Sequence, residues 1–286
     1  MAEPIMTEIL VTGATGNVGR HVVAHLQTAD APVRAFVRKP TTAQLPEQVR
    51  AVGGSLTEPD TLVAALKGID TVFLIWPFLT AEGAPDVLEA IARHARRLVY
   101  LSATGVNPAA ARQTDAINQL HADMERLIEE SGVPHTLLRS DTLAANARGW
   151  AEQIRTTHTV RGPEIAATAV VHEQDVAAVA ARALTDDRQT GAVHLLTGPE
   201  ILSRADQART IGEEIGHPVA FEPVPVAAAR EQMLADGRPP ALVEALLSSA
   251  ENRPASTVVT STVAELTGAP ARTFRSWVQE NAAAFR

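Results

Sequence analysis

The chain has 286 residues and a formal net charge of −8 at pH 7, so we expect neither nucleic acid nor an acidic membrane among its partners. It contains no cysteine, which excludes disulfides, thiolate catalysis and metal sites with cysteine ligands. The first six residues lack the pattern of a secretory signal, and the longest apolar stretch, 72–79, is too short to span a bilayer. We therefore expect a cytoplasmic protein.

Short apolar runs alternate with amphipathic stretches along the first 200 residues. Strands are predicted at 9–12, 33–37, 49–53, 71–76, 98–101, 135–138 and 193–196, and helices at 61–66, 87–95, 117–128 and 175–184. This alternation indicates right-handed crossovers and a parallel sheet covered on both faces. From about Ser203, helical patterns divided by prolines predict a smaller lobe over the carboxyl edge of the sheet.

The first strand runs into three glycines, Gly13, Gly16 and Gly19, and a helix is predicted to begin near Asn17. Strand, glycine turn and helix in this order are typical of a dinucleotide site. Gly13 allows a sharp turn, Gly16 lets backbone N–H groups approach a pyrophosphate, and Gly19 lets the helix pack closely on the strand. The alternative is an ordinary turn that uses glycine only for tightness.

These patterns together predict an α/β fold, a Rossmann-type doubly wound parallel sheet with a smaller, mainly helical C-terminal lobe. We assign residues 1–142 and 166–198 to the dinucleotide-binding domain. Residues 143–165 and 199–286 are assigned to the substrate-binding lobe.

The end of the second strand indicates which nucleotide is bound. An NAD site usually has an acidic residue there, whereas this strand is followed by Arg38 and Lys39. A guanidinium can hold a 2′-phosphate with two hydrogen bonds, so the pattern favours NADPH while leaving NADH possible. The alternative is that Arg38 is only a solvated residue at the end of a strand.

Six segments, 11–19, 33–38, 54–60, 99–106, 130–139 and 266–277, resemble the NmrA-like, atypical short-chain dehydrogenase/reductase family. The resemblance implies NADP-binding proteins that reduce quinones or carbonyls, or that sense the cofactor without turnover. It implies nucleotide contacts from Gly13, Thr15, Gly16, Asn17, Val18, Arg38, Ser55, Leu56, Ile75, Ser102, His121 and Ser140. Ser55 departs from the aspartate with which many members contact adenine, so the adenine contact at this position is in doubt.

A larger departure concerns catalysis. Active short-chain reductases use a Tyr-x-x-x-Lys pair and a Ser or Thr after the fifth strand. Aligning Glu125 with the family's Lys-x-x-x-Glu places His121 at the lysine position and Ile117 at the tyrosine position, and isoleucine cannot donate a proton. Tyr100, the one tyrosine, lies within a predicted core strand, and Thr104 matches the hydroxyl position. The usual acid is missing.

Two catalytic candidates remain, each with a structural alternative. His121 either hydrogen-bonds the nicotinamide ribose or relays a proton, unless it is a helix-surface histidine. Thr104 either orients a substrate carbonyl or stabilises a turn. After the sixth strand, Ser140 and Asp141 should lie near the nicotinamide, and we slightly prefer a helix N-cap for Asp141.

Other polar and aromatic residues are weaker candidates. Asn146 and His158 either line the substrate cleft or are solvated loop residues. Trp76 and Trp150 are candidates to flank an aromatic substrate, and the alternative for Trp76, which ends a strand, is a place in the core. Glu173 and Asp175, next to His172, are better explained by a helix start than by a carboxylate pair. Neither His121 nor His172 has a carboxylate at a spacing that suggests a metal site, so we predict none.

We therefore predict an NADPH-dependent reductase that transfers hydride to a carbonyl of a hydrophobic aromatic or polyketide-like small molecule. The chain is also similar to triad-lacking ketoreductases that act on angucyclinones, which implies a place in antibiotic biosynthesis. The alternatives are a quinone reductase and a non-enzymatic NADP-binding sensor with a protein partner. The oligomeric state is left open.

Overall fold

The computed structural model describes residues 8–286, in which strands and helices alternate along most of the chain. The secretory-signal expectation concerns residues 1–6, which lie outside the described residues. The strands are β1 (Glu8–Thr12), β2 (Val33–Val37), β3 (Arg50–Gly53), β4 (Ile69–Leu74), β5 (Arg97–Ala103), β6 (His135–Ser140), β7 (Thr159–Gly162), β8 (Val193–Leu196) and β9 (Ala220–Pro223). The α-helices are α1 (Gly19–Thr28), α2 (Pro59–Ala65), α3 (Ala84–His94), α4 (Ala116–Glu130), α5 (Ala151–Thr157), α6 (Glu173–Thr185), α7 (Arg204–Ile215), α8 (Val226–Ala235), α9 (Pro240–Asn252), α10 (Thr262–Thr267) and α11 (Phe274–Asn281).

Seven strands form one sheet in the order β3-β2-β1-β4-β5-β6-β8, and every neighbouring pair is parallel. The strand order reverses between β1 and β4, which opens a crevice at their carboxyl ends. The Rossmann-type α/β fold predicted from the sequence is thus confirmed. Strands β5 and β6 pair Ser102 with Arg139 and Ala103 with Ser140, so their carboxyl ends lie side by side.

Both faces of the sheet are covered by helices. On one face, α1 and α6 pack through residues such as Val22 and Val176. On the other, α2, α3 and α4 bury Leu62, Leu88 and Met124. Central strands of a parallel sheet face a core on both sides, which explains their continuous apolar runs.

The later part of the chain contains more strand than the sequence suggested, because β7 and β9 form a separate parallel pair. Elements α5, α7 and α11 pack there around the buried indole of Trp277. Helices α8 and α9 form a hairpin with a small apolar cluster of Ala229, Val243 and Leu247. The division into two domains stays a prediction. None of the helices within residues 8–286 has the length and apolar character to cross a membrane.

Candidate active site

The glycine turn between β1 and α1 has the geometry that a dinucleotide site requires. Gly13 adopts φ +62°, a conformation that favours glycine, and its carbonyl accepts a hydrogen bond from Gly16 N at 2.9 Å. A Cβ on Gly19 would lie 2.1 Å from Gly13 O, so only glycine fits where the helix meets the turn. A Cβ on Gly16 would meet the same oxygen at 3.1 Å, a contact that a small shift relieves. The fold therefore requires glycine less strictly at position 16 than at position 19.

An open pocket lies beside this turn and beyond the end of β2. Its lining residues include Thr15, Arg20, Arg38, Lys39, Thr42 and Gln44. The three cations suit a phosphate dianion, as expected for a 2′-phosphate. Arg20 was missed from the sequence, although its place in the first turn of α1 was a usable signal.

A neighbouring histidine orients Arg20. The Nε of Arg20 donates a hydrogen bond to His21 Nε2 at 3.1 Å. Burial, aided by the positive charge of Arg20, lowers the pKa of His21 to about 4, so its imidazole is neutral near pH 7 and free to accept this bond. The cation is thereby held at the pocket that Arg38 also lines.

Two residues expected at the adenine end have local structural roles. Ser55 Oγ lies 2.7 Å from Thr57 Oγ1, and Ser55 N donates to Thr61 Oγ1 at 3.1 Å. Leu56 is buried in the core. The hydroxyl of Ser55 is therefore engaged within its own turn, and the adenine contact at this position stays untested.

The crevice between β1 and β4 is fixed by a side chain that sequence reasoning also missed. Thr12 Oγ1 accepts a hydrogen bond from Ile75 N at 2.8 Å, and its hydroxyl lies 3.2 Å from Phe73 O. The side chain of Ile75 lies 3.3 Å from where a Cβ on Gly13 would stand. Thr12 thus joins the carboxyl ends of the two strands at the point where the strand order reverses.

A cavity of about 300 Å³ opens at the carboxyl ends of β4, β5 and β6. We call it the nicotinamide-end cavity after the sequence prediction that Ser140 and Asp141 lie near the nicotinamide. It brings together Ile75, Trp76, Ser102, Ile117, Asn118, His121, Ser140, Asp141, Leu143, Asn146 and Arg253, among others. Ile75, Ser102, His121 and Ser140, which were predicted from separate segments, therefore line one cavity. Asp115 caps α4 by accepting hydrogen bonds from Ile117 N and Asn118 N, which fixes the first turn of α4 at the cavity.

His121 lines this cavity, and its imidazole is hydrogen-bonded to Tyr100. The Tyr100 hydroxyl lies 2.9 Å from His121 Nδ1. Burial lowers the pKa of His121 to about 4, although Glu125 and Asp115 act in the opposite direction. Burial, with the negative charge of Glu125, also raises the pKa of Tyr100. Near pH 7 the pair is therefore a neutral imidazole and a neutral phenol, and the partly exposed ring of His121 lines the cavity.

The core position of Tyr100 agrees with the sequence, since its side chain is 0% exposed within β5. Its hydrogen bond to His121 was not foreseen, because it depends on how α4 lies across β5. Two residues further along β5, Ser102 Oγ donates to Glu125 Oε1 at 2.5 Å, and Arg139 on β6 pairs with the same carboxylate at 2.5 Å. The Tyr100–His121 and Ser102–Glu125 bonds therefore both join β5 to α4.

Asp141 is not a helix N-cap, and that prediction is wrong. Its carboxylate, 5% exposed, accepts hydrogen bonds from Arg253 Nη2 at 2.5 Å and Ser256 Oγ at 2.6 Å. Arg253 and Ser256 belong to the strap, residues 253–261, which connects α9 to α10. Arg253 and Ser256 are more than 110 residues from Asp141 in sequence. The positive charge of Arg253 and the hydroxyl donor of Ser256 compensate for the burial of the Asp141 carboxylate.

Thr104 lies in a second cavity, separated from the first by the Asp141–Arg253 pair. This strap-side cavity is lined by Thr104, Gly105, Asp141, Leu195, Thr197 and strap residues from Arg253 to Thr260. Thr104 N donates to Ser140 O at 3.1 Å, which places the residue beside β6. Thr104 and His121 therefore line adjacent cavities rather than one.

The remaining candidates divide between cavity and scaffold. Asn146 lines the nicotinamide-end cavity, whereas His158 ends α5 with φ +52° and stacks on His217 at 5.5 Å between ring centroids. Trp76 is buried in the core but also lines the cavity. Trp150 packs on the cluster around Trp277.

The acidic pair after His172 begins a helix, as preferred from the sequence. Helix α6 begins at Glu173, and the His172 side chain accepts a hydrogen bond from Gln174 N at 3.1 Å. Glu173 accepts a bond from Trp277 Nε1 at 2.9 Å. Asp175 pairs with Arg272. Within residues 8–286, no three histidine or acidic side chains are grouped as metal ligands would be.

Comparisons with known proteins identify the family. A family described as NAD(P)H-binding matches residues 13–187, more than half of the chain. A (4-alkanoyl-5-oxo-2,5-dihydrofuran-3-yl)methyl phosphate reductase of Streptomyces griseus is 39% identical over 97% of this chain and 99% of its own. An NAD(P)H azoreductase of Xenophilus azovorans is 31% identical over 97% of this chain and 99% of its own.

Among solved structures, an NADPH-dependent quinone oxidoreductase of Escherichia coli superposes with a TM-score of 0.79 at 24% identity, covering 96% of this chain and 99% of its own. That similarity supports the fold. The chain belongs to the NAD(P)H-binding family, with NmrA-like, atypical short-chain reductases as its neighbours, and is an NAD(P)H-dependent oxidoreductase.

Proposed function

We propose that this member of the NAD(P)H-binding family uses NADPH to reduce a carbonyl of a hydrophobic, conjugated small molecule without a Tyr-x-x-x-Lys pair. The observation that carries the proposal is the neutral imidazole of His121, held by Tyr100 on the wall of the nicotinamide-end cavity. NADPH, when bound, supplies the hydride that adds to the carbonyl carbon. The negative charge that develops on the carbonyl oxygen must then be stabilised by groups of this chain.

The residues present fit such a cofactor. The glycine turn leaves room for a pyrophosphate over Gly16 and the N-terminus of α1, which favours negative charge. Arg20, Arg38 and Lys39 line one pocket and would hold a 2′-phosphate there, which supports NADPH over NADH. Ile75, Ser102 and Ser140 lie at the strand ends along which the nicotinamide half would extend.

Among residues 8–286, the lining of this cavity offers hydrogen-bond donors for a carbonyl oxygen but no tyrosine. His121 and the Asn118 amide line the cavity together with Ile117, which has no proton to give. Tyr100 uses its hydroxyl on His121 and does not line the cavity. A donor that only stabilises the oxyanion suffices if the substrate delocalises the charge, and water entering the open cavity then supplies the proton.

The relatives' names support an electron-poor, conjugated substrate. They specify an acylated dihydrofuranone phosphate, azo compounds and quinones, and each of these substrate classes contains a conjugated system. Trp76, Ile117 and Leu143 give the cavity apolar walls that suit an aromatic or polyketide-like ring. A hydroxyl beside the carbonyl would supply an internal hydrogen bond and so compensate for the missing acid.

The test is NADPH oxidation by the purified protein with a matched set of acceptors. We expect turnover with an aromatic ketone that carries an adjacent hydroxyl, and much slower turnover with its methyl ether. A quinone tests the quinone reductase alternative, and an acylated dihydrofuranone tests reduction of a conjugated double bond.

Turnover of the quinone alone would contradict carbonyl reduction and favour the quinone reductase. Tight NADPH binding with no oxidation by any acceptor would contradict the proposal and favour a sensor. Equal rates for the hydroxyl ketone and its methyl ether would exclude assistance by the substrate hydroxyl.

A further inference from the structure

The bond between Tyr100 and His121 has two possible directions, and burial distinguishes them. In one, the phenol donates to Nδ1 and the imidazole carries its proton on Nε2. In the other, Nδ1–H donates to the phenol oxygen. Which nitrogen carries the proton decides whether the cavity faces a donor or an acceptor.

The second direction leaves a buried donor unsatisfied. Tyr100 is 0% exposed, and within residues 8–286 its hydroxyl has His121 Nδ1 as its hydrogen-bond partner. If Nδ1–H donated, the phenol proton would have no acceptor, at a cost of roughly 1–3 kcal/mol. Ionisation of the phenol does not remove this cost, because burial and Glu125 raise the pKa of Tyr100.

The first direction satisfies every buried proton. The phenol donates its proton to His121 Nδ1. The other ring nitrogen, Nε2, carries the imidazole proton and makes no bond to Tyr100. Because the ring lines the cavity, this N–H is the donor that the imidazole can offer there. Because the imidazole is neutral near pH 7, its N–H donates to an oxyanion without being consumed as an acid.

We infer that Tyr100 is a positioning residue that fixes His121 in the Nε2–H tautomer, so that the imidazole presents a hydrogen-bond donor to the substrate. The effect of Tyr100 on turnover rests on the proposed function, whereas its effect on the tautomer does not. The charged groups nearest to the ring are Glu125, which is paired with Arg139, and Asp115, which caps α4. Neither carboxylate hydrogen-bonds the imidazole, so Tyr100 is the group that selects the tautomer.

The tautomer is measured directly by nitrogen NMR of the full-length protein with ¹⁵N-labelled histidine, without substrate. His121→Gln assigns the His121 signals by their disappearance. We expect Nε2 to be protonated in the unmodified protein and Tyr100→Phe to show exchange between the two tautomers. A protonated Nδ1 in the unmodified protein, or an unchanged tautomer in Tyr100→Phe, would overturn the inference.

Turnover provides the second measurement, with NADPH affinity measured by titration alongside. Thr136→Val is the matched control. This variant also removes a hydroxyl that makes a partly buried hydrogen bond, from Thr136 Oγ1 to Gln189 O at 2.9 Å. Thr136 lies on β6 but does not line the cavity. We expect Tyr100→Phe to lower kcat roughly two- to tenfold, well below the 10²–10⁴-fold of a lost general acid. The NADPH affinity should be unchanged.

Two kinetic outcomes would contradict this role. A kcat of Tyr100→Phe equal to that of Thr136→Val would show that the tautomer does not affect turnover. A loss of more than a hundredfold would make Tyr100 the proton donor. If no acceptor is turned over, the proposed function fails, and the NMR result still decides the tautomer.

Discussion

The two ends of the cofactor cleft are built in different ways. The phosphate end is made by two short segments, residues 13–20 and 37–44, and depends on backbone shape at Gly13 and Gly19. The nicotinamide end is assembled from strands β4, β5 and β6, helices α4 and α9, and the strap. There the working groups are side chains, and their partners lie far away in sequence.

This difference separates what a local pattern determines from what tertiary packing determines. A glycine turn imposes its geometry within a few residues, so its spacing alone is informative. The imidazole of His121 acquires its properties from Tyr100 and from burial, neither of which appears in the sequence around it. Substitutions at the phosphate end should therefore affect nucleotide binding, whereas substitutions at the nicotinamide end should affect stability and the KM of the substrate.

The largest effect is expected at the phosphate end, from Gly16→Val. A valine side chain would occupy the space over the turn that we assign to the pyrophosphate, whereas its Cβ meets the protein at Gly13 O, 3.1 Å away. We expect nucleotide binding to be lost and the fold to be retained, as measured by NADPH titration and circular dichroism.

The matched control is Gly19→Ala, whose Cβ would lie 2.1 Å from Gly13 O. That variant should lose stability as well as binding. Normal NADPH binding by Gly16→Val would place the cofactor elsewhere, and a stable Gly19→Ala would contradict the steric argument.

At the nicotinamide end, the next largest effect is expected from Arg253→Met. The variant leaves the buried carboxylate of Asp141 without its cation, which should cost roughly 3–5 kcal/mol of unfolding free energy in urea titrations. Because Arg253 lies at the nicotinamide end, the NADPH affinity should be largely retained while the KM of the carbonyl substrate rises.

The double variant Arg253→Met with Asp141→Asn is the control, since it removes the unpaired charge together with its partner. It should be more stable than Arg253→Met alone. Equal stabilities would show that the pair does not hold the strap.

How far the sequence predicted these features follows from the same distinction. Strands, sheet and glycine turn were predicted because hydrophobic period and turn chemistry are local. The N-cap prediction for Asp141 was wrong because its partners, Arg253 and Ser256, lie in a distant strap. The role of Tyr100 was missed for a similar reason, because only the packing of α4 on β5 brings His121 to its hydroxyl.

A smaller effect is expected from Arg38→Ala, which distinguishes the two cofactors. Loss of a charge-assisted pair to the 2′-phosphate should cost roughly 1.5–3 kcal/mol, about tenfold or more in NADPH affinity. NADH lacks this phosphate, so its affinity should barely change. Titration of both nucleotides measures the difference.

Arg50→Ala, which removes an exposed arginine at the start of β3, controls for the loss of net charge. Arg20→Ala should resemble Arg38→Ala, because Arg20 lines the same pocket. Equal losses for NADPH and NADH would show that Arg38 does not contact the 2′-phosphate.

The smallest effect concerns the acid sensitivity that a buried neutral histidine creates. Burial lowers the pKa of His121 to about 4 in the folded protein, against 6.5 for an ordinary histidine. Between these values the unfolded chain binds more protons than the folded one, so stability rises with pH and is lost as the pH falls from 6.5 towards 4. The slope from this one group is on the order of 1 kcal/mol per pH unit.

His21 also has a pKa lowered to about 4, and the pKa values of His25 and His194 are lowered as well, so the unmodified protein alone cannot isolate His121. The measurement is therefore the difference in unfolding free energy between the unmodified protein and His121→Gln across this window. We expect the variant to have the shallower slope below pH 6.5 and the same slope above it, where His121 is neutral in both states. Identical slopes throughout would mean that His121 has the same pKa in the folded and unfolded chain, which would contradict the lowering of its pKa by burial.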